Sequence, residues 1–339
     1  MEMDIPVSGP EGQPYTLFGN LCKKQGDWPS KVVFFVHGTT LDSRSFDWQF
    51  KHKHYSAVQK FLGAGYATMA VDRLGSGRST APASTDVTVT STVATLHQVV
   101  EKLRDGSLGA SFDSVYFHGH SQGSVFGWVL GQAYPQDFDA FVIVGAIHDT
   151  PPALFGAPGS LLETYQLQAN LDPAFSDLGL DPGYITMVDG AQGVLWFGAG
   201  SHIHSSDVAE TLKSFASFPG AVEAALSLAL QNPPPELGIP PLVPCGQPGR
   251  TSPSCALTKP VYVMAGDVDT SVCGGYGPLP MPCTTSALEA FESQFYPPGA
   301  LDGHVYIPEG TQTGHYLFAH DSYDAAAEWL ISTMQADGL

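Results

Sequence analysis

Ser121 lies in the run Gly119-His120-Ser121-Gln122-Gly123, between an apolar stretch, Val115-Tyr116-Phe117, and a helix-like stretch, Val125 to Tyr134. A serine on a sharp strand-to-helix turn is held in a strained backbone, and the flanking glycines remove the side chains that would collide there. Its hydroxyl then stands clear of the sheet, and the helix start behind it presents N–H groups to a developing negative charge. The chemistry this permits is nucleophilic attack through a covalent intermediate. A bare G-x-S-x-G arises by chance in Gly/Ser-rich chains; the strand before it and the helix after it make it specific.

A serine hydroxyl is a weak nucleophile until a base takes its proton and a third group orients that base. Thr313-Gly314-His315-Tyr316 follows the last strand-like run and a short loop, which returns an imidazole toward the nucleophile, so His315 is the expected base. Among the 12 histidines, His304 begins a strand-like run and His320 falls in or near the final helix, and both are less well placed. The run Val261 to Met264 is followed at once by Ala265-Gly266-Asp267-Val268-Asp269, and Asp269, just past the turn, is the expected acid. Asp267, which could instead cap that turn, and Asp149, after the run Phe141 to Val144, stand as alternatives. Oxyanion donors would be the backbone N–H of Gln122 and that of Thr39 in His37-Gly38-Thr39-Thr40, where Gly38 lets the chain turn inward. His37 reads as a brace for that loop.

Positioning these groups needs buried strands with loops at their carboxyl ends. Short apolar runs at 32–36, 67–71, 115–117, 141–144, 261–264 and 304–307 alternate with helical patterns near 55–62, 93–103, 125–134 and 323–334. That alternation is the signature of a mainly parallel sheet with helices on both faces. Residues 151–255 interrupt it with helical patterns at 160–171 and 208–230 and a Pro-rich stretch through Pro233-Pro234-Pro235 and Pro240-Pro241. They read as a mostly helical cap inserted into a core made of 1–150 and 256–339. Within it Leu154, Phe155, Trp196 and Phe197 either line an acyl or aromatic pocket, with His120 beside the nucleophile, or pack the cap on the core.

Composition narrows the partners. The 339 residues carry 14 Lys+Arg against 33 Asp+Glu, a formal net charge of −19, which repels phosphate backbones and anionic lipid headgroups. A neutral small molecule is the expected substrate, and nucleic acid is not an expected partner. No apolar run approaches the roughly 20 residues of a membrane span. Lys51-His52-Lys53-His54, the one dense basic spot, reads as a solvated loop. Gly75-Ser76-Gly77 lacks the third glycine of a dinucleotide loop and the Gly-Lys-Ser/Thr ending of a phosphate loop, so it reads as a structural turn, and no cofactor is expected. His202-x-His204 has no second pair at ligand spacing and reads as a surface loop, with no metal expected. The five cysteines fall as Cys245 with Cys255, Cys273 with Cys283, each pair bracketing a Gly/Pro-rich loop, and Cys22 alone. Two local disulfides pinning flexible loops would place the protein in an oxidising, extracytoplasmic compartment, against the alternative of reduced thiols in a cytosol. The first residues, Met1-Glu2-Met3-Asp4-Ile5-Pro6, show no signal pattern, so a secreted form would carry a leader outside this sequence.

Taken in order, His37-Gly38, Asp72-Arg73-Leu74-Gly75-Ser76-Gly77-Arg78-Ser79, the Ser121 pentapeptide, Gly266-x-x-Asp269 and Gly314-His315 resemble the α/β-hydrolase fold over about residues 28–150 and 258–339. The resemblance implies a Ser–acid–His order carried by Ser121, Asp269 and His315, and an esterase- or lipase-like hydrolysis of an ester, lactone or thioester without a cofactor. It also leaves open carbon–carbon bond hydrolysis, peptide cleavage and acyl transfer on the same residues, and a ligand-binding protein without turnover. Relatives that use an aspartate nucleophile, the epoxide hydrolases and haloalkane dehalogenases, are disfavoured because position 121 is serine.

Overall fold

A computed structural model describes residues 1–39, 41–49, 52–148, 166–187, 220–221, 242–274, 279–280 and 282–339. Its framework is an eight-stranded sheet. The chain opens with an antiparallel pair, β1 (Glu2–Ser8) and β2 (Pro14–Cys22), which the sequence reading did not anticipate. It continues through β3 (Lys31–Val36), the helical turns α1 (His52–Tyr55) and α2 (Ala57–Gly63), β4 (Ala67–Val71) and α3 (Val89–Asp105). The elbow region is β5 (Ser114–His120), α4 (Gln122–Ala133) and β6 (Ala140–Val144).

After β6 the described part of the proposed cap mixes short strands with 3-10 helical turns, Ala169–Leu171 and Pro173–Leu178. Gln166–Gln168 forms β7, which pairs antiparallel with β8 (Tyr184–Met187), and β8 pairs antiparallel with β9 (Gly220–Ala221). The helical patterns expected over 160–171 and 208–230 give way to strand at 166–168 and 220–221, while 169–171 is a 3-10 helical turn. Cross-strand pairing with the β-branched Ile185 and Thr186 overrides helix propensity there. This small sheet leans on the loop after β4: Val87, Ala169, Phe175 and Tyr184 share a buried cluster, and the Tyr184 hydroxyl donates to Pro82 O at 2.8 Å.

The chain then runs through a parallel pair, β10 (Leu242–Val243) and β11 (Arg250–Thr251), into β12 (Val261–Met264), α5 (Thr285–Glu292), β13 (Val305–Tyr306) and α6 (Tyr323–Ala336). Strand order in the main sheet is β1-β2-β4-β3-β5-β6-β12-β13, parallel from β4 onward, with β2 antiparallel to both its neighbours. Sequential strands joined by helices give such parallel pairings, and helices on both faces explain why the strands read as unbroken apolar runs.

Alternate residues of each strand feed two cores. Phe34, Val36, Phe117, Ile143 and Val263 pack with Leu96 and Val100 of α3 and Trp128 of α4. Phe35, Tyr116, Val142 and Tyr262 pack on the opposite face with Phe61 of α2 and Leu330 of α6. The helices start where capping predicts: the Thr88 hydroxyl accepts from Ser91 N, and the Ser56 hydroxyl from Gln59 N. The basic tetrad is a turn of helix from His52 onward, not a loop, because carboxylates hold it: His52 Nε2 lies 2.7 Å from Asp47 Oδ1 and His54 Nδ1 2.9 Å from Asp324 Oδ2.

Two disulfides close the loops that the cysteine spacing singled out, Cys245–Cys255 and Cys273–Cys283, and Cys22 is free. The first holds a loop that is pinned to the core by a fully buried polar cluster. His148 Nδ1 donates to Glu292 Oε2 at 2.7 Å, its Nε2 lies 2.7 Å from Ser254 Oγ, and its ring is stacked between Trp128 and Phe295. Glu292, Ser254 and His148 are each at most 1 % exposed. Removing one member of a fully buried hydrogen-bonded pair leaves the other's polar atoms without their partner, so Glu292→Ala should cost about 1–3 kcal/mol, measured as a lowered urea midpoint. An unchanged midpoint would show that the cluster carries no stability.

Candidate active site

Ser121 sits between β5 and α4 with φ 52° and ψ −123°, a conformation that non-glycine residues avoid. The framework holds it there: its N–H donates to Val144 O at 2.7 Å, and its own carbonyl accepts from Ser124 N at 2.9 Å. Flanking glycines are required for close approach. A methyl group on Gly119 would lie 2.5 Å from Ser124 N, and one on Gly123 would lie 2.0 Å from Val36 O. Gly123→Ala must therefore push α4 away from β3. We expect a loss of about 1–3 kcal/mol in urea unfolding, the usual cost of overpacking, and a midpoint equal to that of the wild type would count against this reading of the turn.

His315 and Asp269 arrive from loops after β13 and β12. His315 Nδ1 donates to the Asp269 carboxylate, 3.1 Å from Oδ1 and 3.0 Å from Oδ2, with Asp269 fully buried and His315 7 % exposed. Gly266 lets the two loops touch, since a methyl group there would sit 2.1 Å from Thr313 O. The imidazole packs beside the elbow. Its ring centroid is 5.0 Å from that of His120, His120 Nε2 donates to His315 O at 3.2 Å, and His315 Cε1 is 3.1 Å from where a Cβ on Gly145 would be. Gly145 in turn follows Val144, the residue that holds Ser121 N. Among the described residues Ser121 Oγ makes no hydrogen bond; contacts between nucleophile and base are commonly loose until substrate is bound.

Across the elbow, the loop after β3 brings Gly38 against Ser121, with an added methyl there 3.0 Å from Ser121 Cβ. Thr39 Oγ1 donates to Gln122 Oε1 at 3.2 Å, so the two expected oxyanion segments are tied together.

A family model described as the alpha/beta hydrolase fold matches residues 31–177. Among solved structures, epoxide hydrolase A from Mycobacterium thermoresistibile is 16% identical, with a TM-score of 0.57 over 99% of this chain and 98% of its own. A thermophilic esterase from Thermogutta terrifontis is 13% identical, with a TM-score of 0.56 over 99% and 98%. The thioesterase domain from the curacin biosynthetic pathway is 14% identical, with a TM-score of 0.52 over 98% and 99%. This chain has the α/β-hydrolase fold. No curated protein matches it by sequence.

Within this α/β-hydrolase frame the alternatives for base and acid have other occupations. His304 Nε2 lies 3.0 Å from Asp337 Oδ2 and its ring stacks on Tyr262. His320 Nε2 accepts from Gly314 N at 3.3 Å, and burial lowers its pKa to about 4. Asp267 accepts from Thr311 N, Gln312 N and Thr313 N at 3.1, 3.2 and 2.6 Å, so it anchors the loop that delivers His315. Asp149, Leu154, Phe155, Trp196, Phe197, His202 and His204 lie outside the described residues.

His120 is held neutral, its pKa pushed well below the usual value by burial and by neighbouring His315. His37 is also held well below its usual value, by burial and by the Arg73 guanidinium. Its Nδ1 donates to Gly38 O at 2.9 Å and its Nε2 accepts from Arg73 N at 3.1 Å, which fixes the neutral tautomer and makes it the expected brace. The Gly75-Ser76-Gly77 segment is a closed turn, Ser76 N to Arg73 O at 3.0 Å and Gly75 N to Thr80 O at 2.9 Å. Asp72 supports it by accepting from Ser43 N and Arg78 N, each at 2.8 Å.

Two side chains at the site escaped the sequence reading. Ser271 Oγ donates to Asp269 Oδ1 at 2.6 Å and lies 3.0 Å from His315 Nδ1, so it shares the imidazole N–H with the carboxylate. A serine two residues after an aspartate is a local turn signal that could have marked it. Arg73 is the other, buried beside the elbow, and only its place in the glycine-rich motif hinted at it. Among the described residues no group of three or more His, Cys, Asp or Glu side chains could hold a metal, and no helix is long and apolar enough to cross a membrane.

Proposed function

We propose that this chain is a serine hydrolase that cleaves a carboxylic ester, lactone or thioester of a neutral, mainly apolar substrate. The observation that carries this reading is the buried Asp269–His315 pair, whose imidazole lies beside His120, the residue that precedes a strained Ser121. In the reaction Ser121 Oγ attacks the carbonyl carbon while His315 Nε2 takes its proton, and Asp269 holds the Nδ1–H and stabilises the imidazolium. The carbonyl oxygen becomes an oxyanion facing the Thr39 and Gln122 N–H groups. His315 returns the proton to the departing alcohol or thiol. Water, deprotonated by the same imidazole, then adds to the acyl carbon; the C–Oγ bond breaks, the acid leaves and Ser121 recovers its proton.

Residues 151–255 act as the cap in this reading, Leu154, Phe155, Trp196 and Phe197 are the residues we assign to acyl-group recognition, and His120 supports the base. The two disulfides favour work in an extracytoplasmic compartment. A fluorophosphonate probe tests the nucleophile: labelling of the wild-type chain at Ser121, mapped by peptide mass, is the expected result. Rates on short-chain, long-chain and aromatic esters, lactones and thioesters then identify the substrate class. Absence of both labelling and turnover would end the proposal and leave a ligand-binding role for the fold.

A further inference from the structure

Arg73 is 4 % exposed, yet among the described residues no carboxylate contacts its guanidinium. Instead Nε donates to His37 O at 3.1 Å, and Nη2 donates to Gly38 O at 3.1 Å and to Gln122 Oε1 at 3.0 Å. The ring of Phe126 in α4 lies 5.0 Å away. Burial pulls the Arg73 pKa down to about 9, opposed in part by Asp72. A buried cation is costly unless its surroundings solvate it, and here that solvation comes from three oxygens in two particular places. His37 and Gly38 immediately precede Thr39, while Gln122 is the first residue of α4, and Thr39 Oγ1 donates to the same Gln122 oxygen.

We infer that Arg73 is a positioning residue, which sets the separation of the Thr39 and Gln122 N–H groups and places a fixed positive charge behind the oxyanion they hold. The inference rests on the serine-hydrolase reading above. A planar guanidinium can bridge two segments at once, whereas an ammonium keeps the charge but not the fork, and a methionine keeps neither. The charge matters most when the oxyanion exists, so its loss should weaken the transition state more than the bound ester.

The test compares wild type, Arg73→Lys and Arg73→Met on a p-nitrophenyl ester and with a trifluoromethyl ketone, to which Ser121 adds to give a tetrahedral oxyanion. In Arg73→Met kcat should fall about 10²-fold, as for loss of one oxyanion donor, with KM within about three-fold and ketone affinity falling in step with kcat. Arg73→Lys should lie between it and the wild type. A folded Arg73→Met with unchanged kcat and ketone affinity, or one that loses only KM, would overturn the inference. Should Arg73→Met fail to fold, Arg73→Lys decides alone: weaker ketone binding at steady KM supports the role, and wild-type values for both refute it. A wild-type chain that neither turns over ester nor binds the ketone would instead overturn the hydrolase reading, and this inference with it.

Discussion

Replacing Ser121 by alanine is expected to lower kcat by about 10⁴- to 10⁶-fold, the range seen when a triad nucleophile is lost. The substitution removes one oxygen and leaves the rest of the turn in place. Ser121 is anchored through its backbone, N–H to Val144 O and carbonyl to Ser124 N, and those bonds do not depend on the side chain. The urea midpoint should therefore stay at the wild-type value while turnover and fluorophosphonate labelling vanish together. Residual catalysis would come from the oxyanion segments acting on water. A variant that folds and keeps even a tenth of the wild-type rate would exclude Ser121 as the nucleophile.

Asp269→Asn should be the next most damaging change, lowering kcat by about 10³- to 10⁴-fold through the wrong imidazole tautomer. Asp269 Oδ1 accepts from Ser271 N at 2.9 Å and from Ser271 Oγ at 2.6 Å, while both carboxylate oxygens face His315 Nδ1. An amide rotated to accept the Ser271 bonds would offer His315 a donor as well as an acceptor, and the imidazole would turn its lone pair toward it. Ser271→Ala removes only a shared acceptor and one bond to the carboxylate, so its expected cost is about 5- to 10-fold in kcat, near one net hydrogen bond. Steady-state rates of both variants check the order. Equal losses would mean that Ser271 and Asp269 share the role, and a larger loss in Ser271→Ala would displace Asp269 as the acid.

The parts of this architecture readable from sequence were those with a short-range cause. Buried parallel strands such as Val32–Val36 and Val261–Met264 are apolar at every position because both faces are covered, and they read as runs. The elbow was legible because its glycines answer to contacts within a few residues. Asp267 and Asp269 lie two residues apart, and loop position alone favoured the second; in the structure Asp267 takes three backbone N–H groups and Asp269 takes the imidazole. What stayed hidden depends on distant partners. The β1–β2 pair was missed because alternating residues with Glu, Asp and Pro among them resemble a polar terminus until β4 supplies the neighbour. The role of Arg73 was not legible because its three acceptors are 35 to 49 residues away along the chain. In the cap, Gln166–Gln168 became a strand through pairing with residues 185–187, which no local pattern announces.

That first pair of strands also bears on how copies of the protein meet. β1 is the outermost strand on its side, with Glu2, Asp4 and Pro6 turned to solvent and Ile5 and Val7 turned inward. Asp4 places a carboxylate on that margin, Glu2 is tied to Arg78 at 2.8 Å, and proline has no N–H to offer an approaching strand. The opposite margin, β13, is only two residues long. Neither flank can template growth of a continuous ribbon from one molecule to the next, so crowding should not drive this chain toward cross-β association through its native sheet.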